Sequence, residues 1–332
     1  VHTVPHSRSK PEAIVRFALS RDPYRVCKLT TTAFRERVAD VLAAGSFDLV
    51  WANFLNTVPA VPASSPVPVV LDEHNSDVRY WETFDDGSLP ERAVAALNVR
   101  RLGRQSVADR IDGVVSVAEA DAAEAREWAG EPVWTLPNGV DVDEFEPRTA
   151  AADADPRVVF VGSLDVRMNE DAVAWFVERA WPAVRTQHPD ATFSVVGRNP
   201  SRRVRELGTE PGVDVVGEVP SVPPHYDRAA VAVAPFQFGG GTKLKVLEAL
   251  AMCRPLVTTP VGATGIPLED GEHAIVRDRD DSFARAVATL LDDPERRTKV
   301  GERGRAFVER RYSWEAITNE GVDRIVTDVL GR

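Results

Sequence analysis

The stretch "VAVAPFQFGGGTKLKVLEALAM", residues 231–252, joins three patterns without a break. "VAVAPFQ" is short, apolar and β-branched, as a buried strand is. Gly239, Gly240 and Gly241 follow, with Thr242 behind them. From Lys243 onward the apolar residues recur at helical spacing. At about 100° per residue, Leu244, Leu247, Leu250 and Ala251 share a face expected to be buried, and Glu248 falls at its margin. Thr242 is expected to cap this helix through its hydroxyl. Lys243 lies within the apolar stripe but in the first turn, where it is expected to point outward. A strand feeding a glycine loop and then a helix places the loop at the carboxyl edge of a parallel sheet, where ligands of such sheets sit.

The chemistry suggested by the loop is anion binding. Glycines let the backbone approach a ligand closely, and the first N–H groups of a helix favour negative charge. Two familiar phosphate loops are excluded by spacing. The P-loop needs Lys followed by Ser or Thr, and Lys243 is followed by Leu244; a dinucleotide fingerprint needs a further Gly soon after Gly241, and none comes before Gly262. Only five of the 40 basic residues are lysine (10, 28, 243, 245 and 299), and two of these adjoin the glycine run. A carboxylate beside a buried stripe, as at Glu248, calls for a partner or a ligand. The plain alternative is a capped surface helix in which Glu248 pairs with Lys245.

The same alternation extends along the chain. "RVVFVGSL" (157–164), "TFSVVG", "VDVVGEV", "RPLVTTP" and "HAIVRD" read as further strands, with helical patterns in "NEDAVAWFVERAWPAVRTQH" (capped near Asn169), "PSRRVREL" and "VPPHYDRA". Ahead of them, "FDLVWA" (47–52), "PVVLDE" (68–73), "DGVVSVA" (112–118) and "PVWTLPN" (132–138) form a second, thinner set, with a long helical stretch over roughly 90–108. After "RDRDDS" the chain is helical almost to its end, broken at Pro294 and "RRYSW". Strands alternating with helices imply parallel sheets covered on both faces, in two domains with a ligand cleft between them. The small, acidic, Pro-bounded "EPRTAAADADPR" (146–157) reads as the linker.

Composition narrows the class. At 332 residues, 43% hydrophobic and 27% charged, this is a globular protein long enough for two α/β domains. A net charge of −11 argues against a nucleic-acid partner. No apolar run is long enough to span a membrane, and Cys27 and Cys253 offer neither a disulfide framework nor a metal spacing, which suits the cytoplasm. Residues 1–40 carry eight Lys or Arg against four Asp or Glu, so contact with the inner face of a membrane is a secondary expectation.

"GGGTKLKVLEALAMCRPLVTTPVGATGI" (239–266), together with "VVFVGSLDVRMNEDAVAWF", "PNGVDVDEF", "VVLDEHNSD" and "RAFVERRYSWEAI" in that family's order, resembles glycosyltransferase family 4. The resemblance covers nearly the whole chain. It implies the GT-B fold, two Rossmann-like parallel-sheet domains facing a cleft. The expected limits are 1–147 for an acceptor-side domain, 148–156 for the linker, 157–311 for a nucleotide-sugar donor domain, and 312–332 for a C-terminal helix returning to the first domain. It implies retaining transfer of a sugar from a nucleotide-sugar donor to a glycan or lipid-linked acceptor, with no cofactor and no metal. Asp141-x-Asp143 lies in an inter-domain turn on this reading and is not a metal motif.

Site residues follow residue by residue. Glu248 matches the second Glu of a Glu-x7-Glu pattern that grips ribose hydroxyls; the first Glu, which contacts the donor sugar, is replaced by Gly240. A Gly-Arg-x4-Lys-Gly pattern after the inter-domain strand reads here as Gly162, Ser163, and later Met168 and Asn169, so phosphate charge must be met elsewhere. Lys243 is the first choice, then Lys245 and Arg198, with the backbone amides of Gly241, Thr242, Lys243 and Leu244. His74, at the end of its strand, matches a His facing the reacting sugar; a packed, satisfied side chain is the alternative. Cys253 replaces a Gly usual at its helix end. The family's opening strand and acceptor-side glycine loop have no counterpart, and "VHTVP" reads as the end of a later strand, so the N-terminal domain is expected to be incomplete. A nucleotide-sugar 2-epimerase and a non-catalytic nucleotide-sugar binder remain the alternative functions.

Overall fold

The protein is described by a computed structural model, covering residues 2–4, 7–74, 96–97, 100–101, 105–239 and 241–331. The chain divides into two units, Val1–Pro137 with Gly321–Arg332, and Asn138–Glu320.

In the first unit, helices Lys10–Leu19, Tyr24–Leu29 and Thr32–Ala44 precede four short strands: β1 (Val50–Asn53), β2 (Val69–Glu73), β3 (Gly113–Ser116) and β4 (Val133–Thr135). They form one parallel sheet in the order β1-β2-β3-β4. Alternation along each strand sorts the side chains onto two faces. Val69, Leu71, Val114 and Val133 face one way and pack with Ala122 and Ala125 of helix Glu119–Ala129. Val70, Val115 and Trp134 face the other way and meet Ile325 of the terminal helix Asp323–Leu330. Residues 2–4 form no strand, and within the expected 90–108 helical stretch the described residues 96–97 and 100–101 are helical, as is Gln105–Ala108.

In the second unit six strands, β5 (Asp155–Val161), β6 (Thr192–Val196), β7 (Val213–Gly217), β8 (Ala229–Ala234), β9 (Leu256–Thr258) and β10 (Ile275–Val276), make a parallel sheet ordered β10-β9-β8-β5-β6-β7. All six residues of β8 are buried, because helices cover both faces of this central strand. Phe160, Phe176, Phe193, Leu247, Leu250 and Phe283 belong to its core. The helix expected to be capped at Asn169 begins earlier, at Arg167, and places Asn169 inside its first turn. It runs through a π-helical turn at Phe176–Ala180 into Trp181–Gln187.

Residues 148–156, expected as a linker, are held to this larger unit. The Asp227 carboxylate accepts from the Arg148 and Thr149 amides at 2.9 and 3.0 Å, and Arg297 donates to the carbonyls of Ala151 and Ala152, each at 2.9 Å. Small residues, legible as flexible from composition, here let the chain lie close to the domain. Among the described residues no helix is long and apolar enough to cross a membrane.

Candidate functional site

The glycine loop leaves the carboxyl end of β8. Gly239 and Gly241 have φ of 118° and 68°, backbone that residues with a Cβ rarely adopt. Gly240 lies outside the described residues. Helix Leu244–Ala251 follows, and three sequence expectations about its start are corrected. Its N-cap is Lys243, with no side-chain cap, so Thr242 does not cap it; among the described residues the buried Thr242 Oγ1 has no hydrogen-bond partner. Leu244 is 47% exposed, while Val246, Leu247, Ala249, Leu250 and Ala251 are buried. Lys243 does not point outward. Its backbone is extended (φ −88°, ψ 100°), and its side chain turns back to donate to the carbonyls of Gly239 at 3.2 Å and Gly241 at 2.9 Å. The helical wheel fails here because its geometry begins one residue too late to direct Lys243.

Lys245 is placed differently. Its Nζ donates to Asn169 Oδ1 at 2.5 Å and lies 4.9 and 5.4 Å from the ring centroids of Phe236 and Phe160. A Cβ on Gly162 would come within 2.8 Å of that ammonium and 3.0 Å of Asn169 Nδ2, so a side chain there would press on both groups. Burial lowers the Lys245 pKa to about 8; the negative charge of Glu248 pulls it back up and Lys243 adds to the fall. Ser163, next in the turn, accepts from Arg198 Nε at 3.2 Å through its hydroxyl and from Asn169 Nδ2 at 2.8 Å through its carbonyl. The ends of β5 and β6 therefore bring Gly162, Ser163 and Arg198 together with Lys245.

Glu248 is half-buried one turn further along the helix. Burial raises its carboxyl pKa, while Lys245 and the Tyr226 hydroxyl act in the opposite sense and Glu144 adds to the rise. Tyr226, 2% exposed, donates to the Lys245 carbonyl at 3.2 Å and reaches Glu248 Oε2 at 3.5 Å. A surface pair of Glu248 and Lys245 is thus not what the structure holds. Asn169 and Tyr226 had no place among the expected site residues. An Asn early in a helix and a Tyr in "VPPHYDRA" carry no mark of their partners, which lie 76 and 22 residues away in sequence.

In the first unit His74 follows β2. Its Nε2 lies 3.4 Å from Asn53 Oδ1 and 3.5 Å from Asp72 Oδ2, and its ring stacks on Phe54 at 4.8 Å between centroids. It is held at the sheet's carboxyl end yet stays 38% exposed. Among the described residues no group of three or more His, Cys, Asp and Glu side chains is arranged to hold a metal ion. A separate cavity of about 310 Å³, lined by Arg277, Arg285 and Arg296 with Ile275, shares no residue with the glycine loop.

Two parallel-sheet α/β units, one with a glycine loop and a buried ion-bearing helix at the carboxyl edge of its sheet, define the GT-B class of fold. Comparison with sucrose-phosphate synthase of Thermosynechococcus elongatus agrees, with a TM-score of 0.69 at 21% identity over 90% of this chain and 77% of that one. A family model described as glycosyl transferases group 1 matches residues 155–293, and one described as glycosyltransferase family 4 matches residues 1–144. The chain belongs to glycosyltransferase family 4. A GDP-mannose-dependent alpha-(1-6)-phosphatidylinositol monomannoside mannosyltransferase of Mycolicibacterium smegmatis is 29% identical over 54% of this chain and 52% of its own length. A D-inositol 3-phosphate glycosyltransferase of Kineococcus radiotolerans is 29% identical over 75% of this chain and 64% of its own. The chain thus spans about half the length of the first relative and somewhat under two thirds of the second.

Proposed function

We propose that the protein transfers a sugar, with retention, from a nucleotide-sugar donor to a glycan or lipid-linked acceptor. One observation carries the reading. Lys245, held by Asn169 beside Phe236 and Phe160 at the end of β5, and Glu248, one turn along the same helix beside Tyr226, bring a cation and a carboxylate to the carboxyl edge of the sheet next to the glycine loop, where burial pushes both toward their neutral forms. A diphosphate would bring further negative charge to the Lys245 ammonium, and vicinal ribose hydroxyls would donate to the Glu248 carboxylate. The backbone amides of Gly241, Thr242, Lys243 and Leu244 add donors at the helix start. Charge that builds on the departing diphosphate would meet fixed positive groups, which is where such sites gain rate. Arg198 and Ser163 border the same place, and Lys243 serves by holding the loop. His74 is the first unit's candidate for the sugar-facing group, supported by its exposure at the end of β2. The family's usual sugar-contacting Glu is absent at position 240, so sugar choice rests on other groups.

The names of the relatives suggest the first substrates to try: GDP-mannose as donor, with phosphatidylinositol mannosides and free inositol phosphate as acceptors. Peripheral contact with the inner face of a membrane fits a lipid-linked acceptor. Glycosidic product with the donor's anomeric configuration, seen by NMR, is the expected result. An isomerised nucleotide-sugar in the absence of acceptor would instead identify an epimerase. Glu248→Ala is expected to weaken nucleoside diphosphate binding by about 2–3 kcal/mol, the value of hydrogen bonds to a charged group. Calorimetric titration checks this, and unchanged affinity in a folded variant would remove Glu248 from the site.

A further inference from the structure

The segment after β5 lacks the cation that its resemblance led one to expect, since Met168 and Asn169 stand where lysine and glycine would. The structure shows what occupies the space instead. Met168 supports the glycine loop: a Cβ on Gly239 would come within 3.0 Å of its Cε and 3.1 Å of its Sδ. Asn169 is 4% exposed, and both ends of its amide are engaged. Nδ2 donates to the Ser163 carbonyl at 2.8 Å, and Oδ1 accepts from Lys245 Nζ at 2.5 Å. The partners fix the amide's orientation, because a carbonyl only accepts and an ammonium only donates. Asn169 therefore ties an ammonium carried by one helix to the turn that ends β5, and Gly162 keeps that turn open beside it.

We propose that Asn169 is a positioning residue that holds the Lys245 ammonium at the end of β5 to meet the donor's diphosphate, replacing the cation absent from position 168. This rests on the nucleotide-sugar reading above. A lysine side chain has several rotatable bonds, and one charge-assisted hydrogen bond to a buried, doubly anchored amide selects among its rotamers before a ligand arrives. The two aromatic faces stabilise the cation there without supplying a competing anion. An amide is the suited partner. A carboxylate in its place would neutralise the ammonium and repel the phosphates, and an alkyl group would leave the ammonium unplaced.

The test is calorimetric titration of the whole chain with a nucleoside and with its diphosphate. Asn169→Ala is expected to lower diphosphate affinity about tenfold, the worth of one charge-assisted hydrogen bond, and to leave nucleoside affinity unchanged. Asn169→Asp keeps the side-chain shape but turns an acceptor toward the Ser163 carbonyl, so the folding of both variants is checked by thermal unfolding; it is expected to lose at least as much diphosphate affinity. Lys245→Asn should lose the same discrimination. A diphosphate-to-nucleoside affinity ratio unchanged in folded Asn169→Ala and Asn169→Asp would make Asn169 a structural pin only. If the unaltered chain binds neither nucleoside nor diphosphate, the donor reading itself fails, which is a different result.

Discussion

Lys243 and Lys245 lie two positions apart and meet opposite surroundings. Lys243, at the N-cap, spends its ammonium on two carbonyls of its own loop, whereas Lys245 places its ammonium beside two aromatic rings and an amide. Both lysines stand out in the sequence because lysine is rare in this chain, and Glu248 stands out because it borders an apolar stripe. Their directions do not, since the extended backbone of Lys243 and the distant Asn169 are outside any local periodicity. The depressed Lys245 pKa has two consequences. On the proposed reading diphosphate meets the ammonium, so affinity is expected to fall as pH rises through about 8, while Lys245→Arg stays flat over the same range. Glu248 and Lys243 are the charged groups that act on it, and Tyr226, which donates to the Lys245 carbonyl, is raised well above its ordinary value by burial, then by Glu248, and does not titrate there. For stability the sign is reversed. Between about 8 and the ordinary 10.5 the unfolded chain binds more protons than the folded one, so unfolding free energy should rise with pH relative to Lys245→Met. Titrations and denaturant unfolding at a series of pH values check both. A pH-independent diphosphate affinity would place the phosphates elsewhere.

At the scale of elements, the strands were legible because each is short, apolar and bounded by Gly or Pro, and β8 with its following helix was legible from "VAVAPFQFGGGTKLKVLEALAM" alone. The 146–157 segment was not. Its small acidic residues look unattached, yet two arginines fasten it from far along the chain and a third holds the residue just before it. Arg254, fully buried, donates to the carbonyls of Met252, Ala229 and Thr149 and approaches Asp227 at 3.5 Å. Arg297 holds Ala151 and Ala152, and Arg305 donates to the carbonyls of Phe145 and Ala251. Guanidinium suits this work because its donors spread in a plane and can reach several carbonyls at once. Burying Arg254 lowers its pKa, and Asp227 works against that fall. Arg254→Ala leaves the Asp227 carboxylate and several carbonyls short of donors, and is expected to cost about 3–5 kcal/mol of stability. Chemical denaturation of the second unit measures it. A loss below about 1 kcal/mol would mean that water replaces the guanidinium at these carbonyls.

The whole molecule is assembled from two sheets whose helices do not all come from neighbouring sequence. The second unit draws its strands and helices from one continuous stretch, Asn138–Glu320, whereas the first unit recruits Gly321–Arg332 from the far end of the chain. In the first unit Ile325 is 1% exposed against Val70, Val115 and Trp134, and the Trp134 indole donates to Asp328 Oδ2 at 2.9 Å. Without the terminal helix, one face of that sheet loses its cover, and β2 to β4 expose a stripe of valines and a tryptophan. Truncating one buried isoleucine alone costs about 2–5 kcal/mol, a large share of what a domain of this size has to spare. Deleting residues 321–332 is therefore expected to destabilise the first unit selectively. Hydrogen exchange followed by mass spectrometry should then show faster exchange over 69–73, 113–116 and 133–135, with 155–161, 192–196 and 229–234 still protected. If Lys245 and Glu248 hold the donor as proposed, nucleoside diphosphate binding should persist in the shortened chain, while turnover should not if His74, at the end of β2 in the disturbed sheet, faces the sugar. Equal acceleration in both sheets would mean that the two units unfold as one cooperative body, and that the terminal helix supports the donor side as much as the sheet it packs on.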